Sequence, residues 1–472
     1  MQKQFTKNIL ILLGINLLIK PLYVLGIDAQ VQNQLGDETY GLYFALFNFC
    51  FLFQIVLDMG ILNYNSKEVA GNRTAVKEHF SKVLGTKLML ILVFMVALVL
   101  GALSLGYEFS VYKTLFGLAV IMSLQSLLAY LRSHFSALGF FTTDSLLSAL
   151  DKLLMIIILG FFLYYLKEIS IMKFIYGQIA ALLIAIAIVL ITLGTKFRLS
   201  VKFSLKESSQ LLKQSFPFAL IFILMVLYTR MDGVMLERLL DDNAKQAGIY
   251  AKSYRLMDAA NLLGYLFSML LLPMFANKLS ENKTVNPLVN SSTAMLLTCS
   301  TILSMVAFFY AEELMTLIYS DLSATHIMVF RYLMVVFWFM SIAYIFGALI
   351  LAKGETTQLN IVLCLGIVIN LVSNIYMIPR EGALGAAKAT LITQSFVFFG
   401  QFMIAKRKFT LRFPATYIFK VVIFMLLCFA LLYIFSQKVT ILWTLEIIVA
   451  SIILIGISIL FGFFRLNLAN EN

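Results

Sequence analysis

The stretch FPFALIFILMVLYTRMDGVMLERLL (Phe216–Leu240) decides the fold. It is long and apolar enough to cross a bilayer as a helix, since about twenty such residues span the hydrocarbon core. Yet it carries Arg230 and Asp232 in its interior. A charge facing lipid at that depth costs roughly 2.5 to 3.5 kcal/mol on the insertion scale, so such groups face one another or something polar. Arg230 and Asp232 are two apart, point to different sides of the helix and each need another partner.

The next apolar run, AGIYAKSYRLMDAANLL (Ala247–Leu263), repeats the anomaly with Arg255 and Asp258, and the first apolar run does so with Lys20. At 100° per residue Arg255, Asp258, Asn261 and Tyr265 share an arc of about 120° on one helix face. Lys252 sits beyond the edge of that arc, near the outer membrane surface. Arg255 and Asp258, at i and i+3, can also simply neutralise each other. Lys20 lies about twelve residues, or roughly 18 Å, into its helix, near mid-bilayer. Pro21 beside it cannot donate to the carbonyl of Leu17, which predicts a bend suited to a gate. The plainer role for Lys20 is snorkelling or pairing with Asp28.

Composition agrees with the membrane reading. Of 472 residues 61% are hydrophobic and only 13% charged, and mean hydropathy is +0.94. Soluble domains sit near about 45–50% and 25%. The net charge of +12 falls largely in short loops between apolar runs, where it reports topology and not nucleic-acid binding. Fourteen spans are expected, from Asn8–Val31 to Leu442–Phe464, and Lys/Arg bias places both termini inside. The basic run at Lys3 and Lys7 resembles a signal peptide but leads into Lys20-Pro21 without a cleavage pattern, and is read as the start of the first helix.

Cys50, Cys299, Cys364 and Cys428 show no ligand spacing, and His79, His134 and His326 are dispersed. With no P-loop and no catalytic constellation, the chain is read as a non-enzyme needing no cofactor or metal.

The halves look related. YGLY (Tyr40–Tyr43) and AGIY (Ala247–Tyr250) each follow an acidic outer loop and a span with an outer aspartate, Asp28 or Asp232. Six spans separate them, which predicts parallel repeats. The expected organisation is an N-terminal six-helix lobe (1–194), a basic cytoplasmic linker (195–215), a C-terminal six-helix lobe (216–404) and two additional helices (405–472).

Several segments carry a family resemblance: YTRMDGVMLERLL (Tyr228–Leu240), AGIYAKSYRLMDAANLL, LLLPMFA (Leu270–Ala276), LILAKGETTQLN (Leu349–Asn360), IPREGALGAAKATLIT (Ile378–Thr393) and GLYFALFNFCFLFQIVLDMGI (Gly41–Ile61). The chain resembles the oligosaccharide flippases of the polysaccharide-transporter family, in the superfamily that also holds multidrug extruders and lipid II flippases. The resemblance implies an all-α polytopic fold, two six-helix lobes around a central cavity and alternating access. It also implies a lipid-linked oligosaccharide as cargo, membrane lipids and a polysaccharide polymerase as partners, no nucleic acid, and the cell inner membrane as location.

Deep in the spans, the bases Lys20, Arg132, Lys152, Arg230, Arg255 and Lys388 outnumber the acids Asp151, Asp232 and Asp258 two to one. That favours an anionic, diphosphate-linked cargo, because phosphates need cationic donors. The expected substrate-binding residues are Lys20, Arg230, Lys252, Arg255, Arg331 and Lys388. The alternative is an ion-coupled multidrug exporter with Asp28, Asp232 or Asp258 as coupling sites; an interaction protein without transport is a third class. Arg132 is as well placed to snorkel, and Asp151 and Lys152 to find partners at a helix interface. Asp58 is expected to pair with a basic inner loop. The aromatic content reads as lipid-facing surface and packing, with only Tyr23, Tyr228 and Tyr265 near the polar candidates.

Overall fold

The computed structural model describes residues 14–16, 18–61, 76–137, 140–194, 204–242, 244–437 and 443–463. Among the described residues there is helix and turn and no strand. Eleven helical stretches are long and apolar enough to cross a membrane. The first of them, α1 (Gly14–Asp58), holds two of the expected spans, broken where Gly36 takes φ 72°, ψ 171°, a conformation that costs a residue with a Cβ. The expected windows at Phe216–Leu240 and Ala383–Ile404 are also helical, so the all-α polytopic expectation of about fourteen spans holds. Helix is the form that satisfies every backbone group without water.

By packing, the chain forms two compact units, Met1–Ala251 and Lys252–Asn472. In the first, α1 is followed by α2 (Val76–Ser104), α3 (Phe109–Ala137), α4 (Phe141–Leu147), α5 (Leu150–Gly160), α6 (Ile171–Gly194) and α7 (Leu205–Leu239). The second half of α1 packs on α2, α3 and α7, and α6 packs on α3 and α5. Residues 195–203, the first part of the expected basic linker, lie outside the described residues. From Leu205 that linker is helix, started by Ser204, whose side chain accepts from the Glu207 backbone N–H at 3.5 Å as an N-cap does.

Beyond Pro21, where the bend is expected, the helix widens into a π-turn at Val24–Asp28. The carbonyl of Leu17 lies outside the described residues, but the widened turn turns out the Gly26 carbonyl, which accepts from the Tyr164 hydroxyl at 2.6 Å. Tyr164 itself belongs to a second π-turn, Phe161–Tyr165. Single π-turns of this kind recur at functional sites in helices.

Helix α8 (Lys245–Ser280) begins in the first unit and continues in the second. The second unit adds α9 (Asn286–Phe309), α10 (Ala311–Ile318), α11 (Ala324–Lys353), α12 (Thr356–Glu381), α13 (Ala383–Lys408), α14 (Ala415–Ser436) and α15 (Trp443–Leu460). Helix α11 packs on α9 and α13, and α12 on α13. The two C-terminal helices lean on α9, where Phe309 meets Phe429 edge-on at 5.1 Å and the Tyr310 hydroxyl donates to Glu446 at 3.3 Å. Leu92, Leu100, Val372 and Ile452, exposed on their helices, are side chains a bilayer would cover. His326 completes a capping box with Ser323 at the start of α11.

Candidate functional site

The first half of α1 presents Asn16, Lys20 and Tyr23 at helical spacing, one above another on the same face. Each has partners on the short helices α4 and α5 or on the turn joining them. The Asn16 amide donates to the Ser148 hydroxyl at 2.8 Å, and the Lys152 ammonium lies over the Tyr23 ring at 4.9 Å. The charged groups that act on Lys20 are Asp151, Lys152 and Arg132. Lys152 is 3.5 Å from Asp151. Arg132, from α3, reaches Asp144 of α4 at 3.0 Å, and its buried Nε meets no acceptor among the described residues.

By formal charge this cluster holds three bases and two acids, a positive excess inside an apolar unit. A buried guanidinium N–H without an acceptor is costly, and an anion would satisfy it. Desolvated ammonium and guanidinium groups together are the donors that phosphate oxygens need. Lys152, Asp151, Arg132 and Asp144 were not among the expected site residues. The signal was available in the acid and base placed side by side at Asp151-Lys152, within the run Leu146–Leu166.

Asp28 and Asp232 behave alike. Asp28 is buried and accepts from the Tyr40 hydroxyl at 3.0 Å to both oxygens and from the Gln32 amide at 3.1 Å. Asp232 is buried and accepts from the Tyr250 hydroxyl at 2.9 Å. Beside them α1 and the start of α8 cross backbone to backbone. A Cβ on Gly41 would lie 2.6 Å from the backbone nitrogen of Gly248, and one on Gly248 would overlap the backbone of Asp37. Only glycine permits that approach. Arg230 turns to another side from Asp232, and its guanidinium lies 4.6 Å from the centre of the Phe51 ring.

In the second unit the expected residues are dispersed. Arg255 and Asp258 are half-buried on α8. Lys252 is buried at the turn after α10, 3.4 Å from the Ser320 carbonyl and 3.5 Å from that of Asp321, with the Tyr319 ring 5.8 Å away. Arg331 donates to the Phe308 carbonyl at 3.1 Å. Lys388 is paired with Glu381. Back in the first unit, Asp58 pairs at 2.6 Å with Lys87, a residue of the α2 span and not of a loop. Lys87 is buried and donates also to the Leu57 carbonyl at 2.9 Å. Among the described residues no group of His, Cys, Asp and Glu could hold a metal ion.

The fold is one already seen in transporters. The lipid II flippase MurJ in an inward closed conformation superposes with a TM-score of 0.76 at 15% identity, over 96% of this chain and 97% of that one. An inward-facing multidrug resistance transporter of the MATE family gives 0.64 at 15% identity, over 85% and 98%. The Vibrio cholerae MATE transporter VcmN in its bent form gives 0.54 at 16%, over 86% and 98%. Among curated proteins no relative matches in sequence. The family model for polysaccharide biosynthesis proteins matches residues 5–279, more than half of the chain, and the protein therefore belongs to that family.

Proposed function

We propose that this protein is a flippase that carries an anionic polyprenyl-diphosphate-linked oligosaccharide from the inner to the outer leaflet for surface polysaccharide biosynthesis. The observation that carries the reading is the positive cluster of Lys20, Arg132 and Lys152 inside an apolar unit. Phosphate oxygens would take the donors that Asp144 and Asp151 leave unmatched, with Arg230 and Arg255 as further donors along the path. The lipid tail stays in the bilayer, so only the head group needs polar surroundings. Membership of the polysaccharide biosynthesis family and the likeness to a lipid II flippase support a lipid-linked cargo. The protein would sit in the cytoplasmic membrane with both termini inside, its two halves working as parallel repeats beside a polysaccharide polymerase.

Deletion followed by mass spectrometry of membrane lipids tests this directly. Accumulation of a lipid-linked saccharide on the cytoplasmic side is expected, relieved by the wild-type gene and not by Lys20→Ala, Lys152→Ala. No accumulation, with normal surface polysaccharide, overturns it.

A second reading, an ion-coupled multidrug exporter, is favoured by buried Asp28 and its hydrogen bonds from Tyr40 and Gln32, because ionisable groups at such depth mark ion pathways in other transporters. Asp232 and Asp258 are its other coupling positions. It predicts that deletion sensitises cells to cationic drugs and leaves lipid-linked saccharides unchanged.

A further inference from the structure

Helices α8 and α11 meet in the second unit around a group of polar and aromatic side chains that the cationic reading does not use. The Asn261 amide nitrogen donates to the Tyr344 hydroxyl at 3.0 Å, while its carbonyl oxygen is buried with no donor among the described residues. The Ser341 hydroxyl, also buried, is likewise unmatched. A Cβ on Gly264 would lie 2.9 Å from the Tyr344 ring and 3.1 Å from Cα of Ser341, so the two helices are drawn together at this point. Tyr265 stands edge-on to Tyr344, with ring centroids 6.4 Å apart at 72°, and keeps 48% of its surface open.

We propose that Tyr265, Tyr344, Asn261 and Ser341 form a saccharide-recognising subsite of the second unit. The proposal rests on the lipid-linked saccharide reading above and adds where the sugar is read. A pyranose presents C–H bonds on one face and hydroxyls around its edge. The open face of Tyr265 is electron-rich and attracts the C–H face. An amide oxygen and a serine hydroxyl beside it offer an acceptor and a donor to the edge hydroxyls. The Tyr344 hydroxyl holds the Asn261 amide, and a swing of its ring that released this bond would open space beside Asn261 and Ser341. Lipid-facing packing explains an exposed tyrosine but not two unmatched polar atoms buried next to it, since a buried polar group without a partner is selected against. Phosphate recognition by Lys20, Arg132 and Lys152 and sugar recognition by this group are then carried by different side chains, and can be separated experimentally.

The test compares two probes on the full-length protein in nanodiscs: sugar-free polyprenyl diphosphate, and the lipid-linked saccharide extracted from the deletion strain. Wild-type protein is expected to bind the saccharide-bearing lipid about tenfold more tightly than the bare lipid, the size of one ring contact plus one hydrogen bond. Asn261→Leu and Tyr265→Leu should each shrink that gap severalfold and leave the bare lipid's affinity unchanged, whereas Tyr265→Phe, which keeps the ring, should preserve the gap. Because bare-lipid binding is measured on every variant, a misfolded protein declares itself by losing it. If wild type binds both probes equally, or both leucine variants keep the gap, the subsite is overturned while the diphosphate reading stands. If wild type binds neither probe, the cargo reading fails and the subsite with it.

Discussion

Lys20 and Lys152 share a cluster in which bases outnumber acids, whereas Lys252, Lys388, Arg331 and Lys87 each rest on a carbonyl or carboxylate close by. All are cations in or beside apolar helices, and depth alone does not separate them. Their acceptors do. A cation with fixed protein acceptors has its charge answered within the fold and holds two elements together. A group of cations with fewer carboxylates than charges retains a field that an added anion can answer. The same distinction divides transport from stability in what substitution should do.

The largest effect is expected where the field is unanswered. Lys20→Ala, Lys152→Ala should reduce surface polysaccharide at least about tenfold with normal membrane abundance, since each charged hydrogen bond to phosphate contributes about 1.5–3 kcal/mol. Arg at both positions should restore part of it. Lys388→Ala, which breaks its pair with Glu381 at an exposed site and a 5.9 Å contact with the Tyr332 ring, should leave export within about twofold, as surface ion pairs contribute little. Equal losses from the two would break the comparison.

Next comes Lys87, with a buried ammonium bound to Leu57, Asp58 and Ser126. Lys87→Met removes the ammonium that lies 2.6 Å from the Asp58 carboxylate. Full burial of both partners would make this cost about 3–5 kcal/mol; with Asp58 31% exposed, a loss nearer about 2 kcal/mol is expected. Thermal unfolding in detergent should show it, and Lys87→Met, Asp58→Asn should recover most of it. Export per molecule should stay near normal. A fall in export at unchanged abundance would move Lys87 into the transport group.

Much of the fold was legible in the sequence because a membrane leaves few alternatives: an apolar run of about twenty residues is a helix or it is not there. The break at Gly36 fell in the loop that separates the first two spans. The acid-and-tyrosine motif was visible as YGLY and AGIY, but not its wiring. Asp28 takes the tyrosine before Gly41, while Asp232 takes the tyrosine two residues after Gly248, because side-chain reach depends on how the helices cross. The site was less legible for the same reason. Lys152 and Arg132 are ordinary interface residues until the first helix brings Lys20 beside them, and no spacing in one sequence reports packing between helices. Lys252 is an expected substrate-binding residue, and the carbonyls beside it belong to a turn some seventy residues later, which its own helix does not report.

Lys252 gives the next smaller effect. Lys252→Met keeps the stem against Tyr319 and leaves the Ser320 and Asp321 carbonyls without its ammonium. Those contacts are long, at 3.4 and 3.5 Å, so a loss of about 1 kcal/mol in stability is expected, with export unchanged once corrected for abundance. Loss of bare-lipid binding by this variant would return Lys252 to the phosphate-binding group.

The smallest effect tests whether a cation already answered tolerates losing one of its supports. Arg238 at the end of α7 lies over the Tyr107 ring at 3.6 Å, pairs with Glu237 at 2.9 Å and donates to the Leu105 carbonyl at 3.3 Å. The Tyr107 hydroxyl donates to Glu237 at 3.0 Å, and burial pushes its ionisation well above the ordinary tyrosine range, followed by the negative charge of Glu237. The hydroxyl therefore stays protonated and remains a donor throughout the physiological range. Tyr107→Phe keeps the ring under the guanidinium and removes only that donor. Glu237 retains Arg238, so the expected loss is at most about 1 kcal/mol, with no pH dependence between 6 and about 9 because the group removed does not titrate there. Tyr107→Leu removes the ring as well and should cost about 1 kcal/mol more, the size of a partly desolvated cation–ring contact. If the phenylalanine variant instead lost export while remaining folded, this cluster of Tyr107, Glu237 and Arg238 would belong with Lys20 and Lys152, and acceptor count would not be what distinguishes the two kinds of cation.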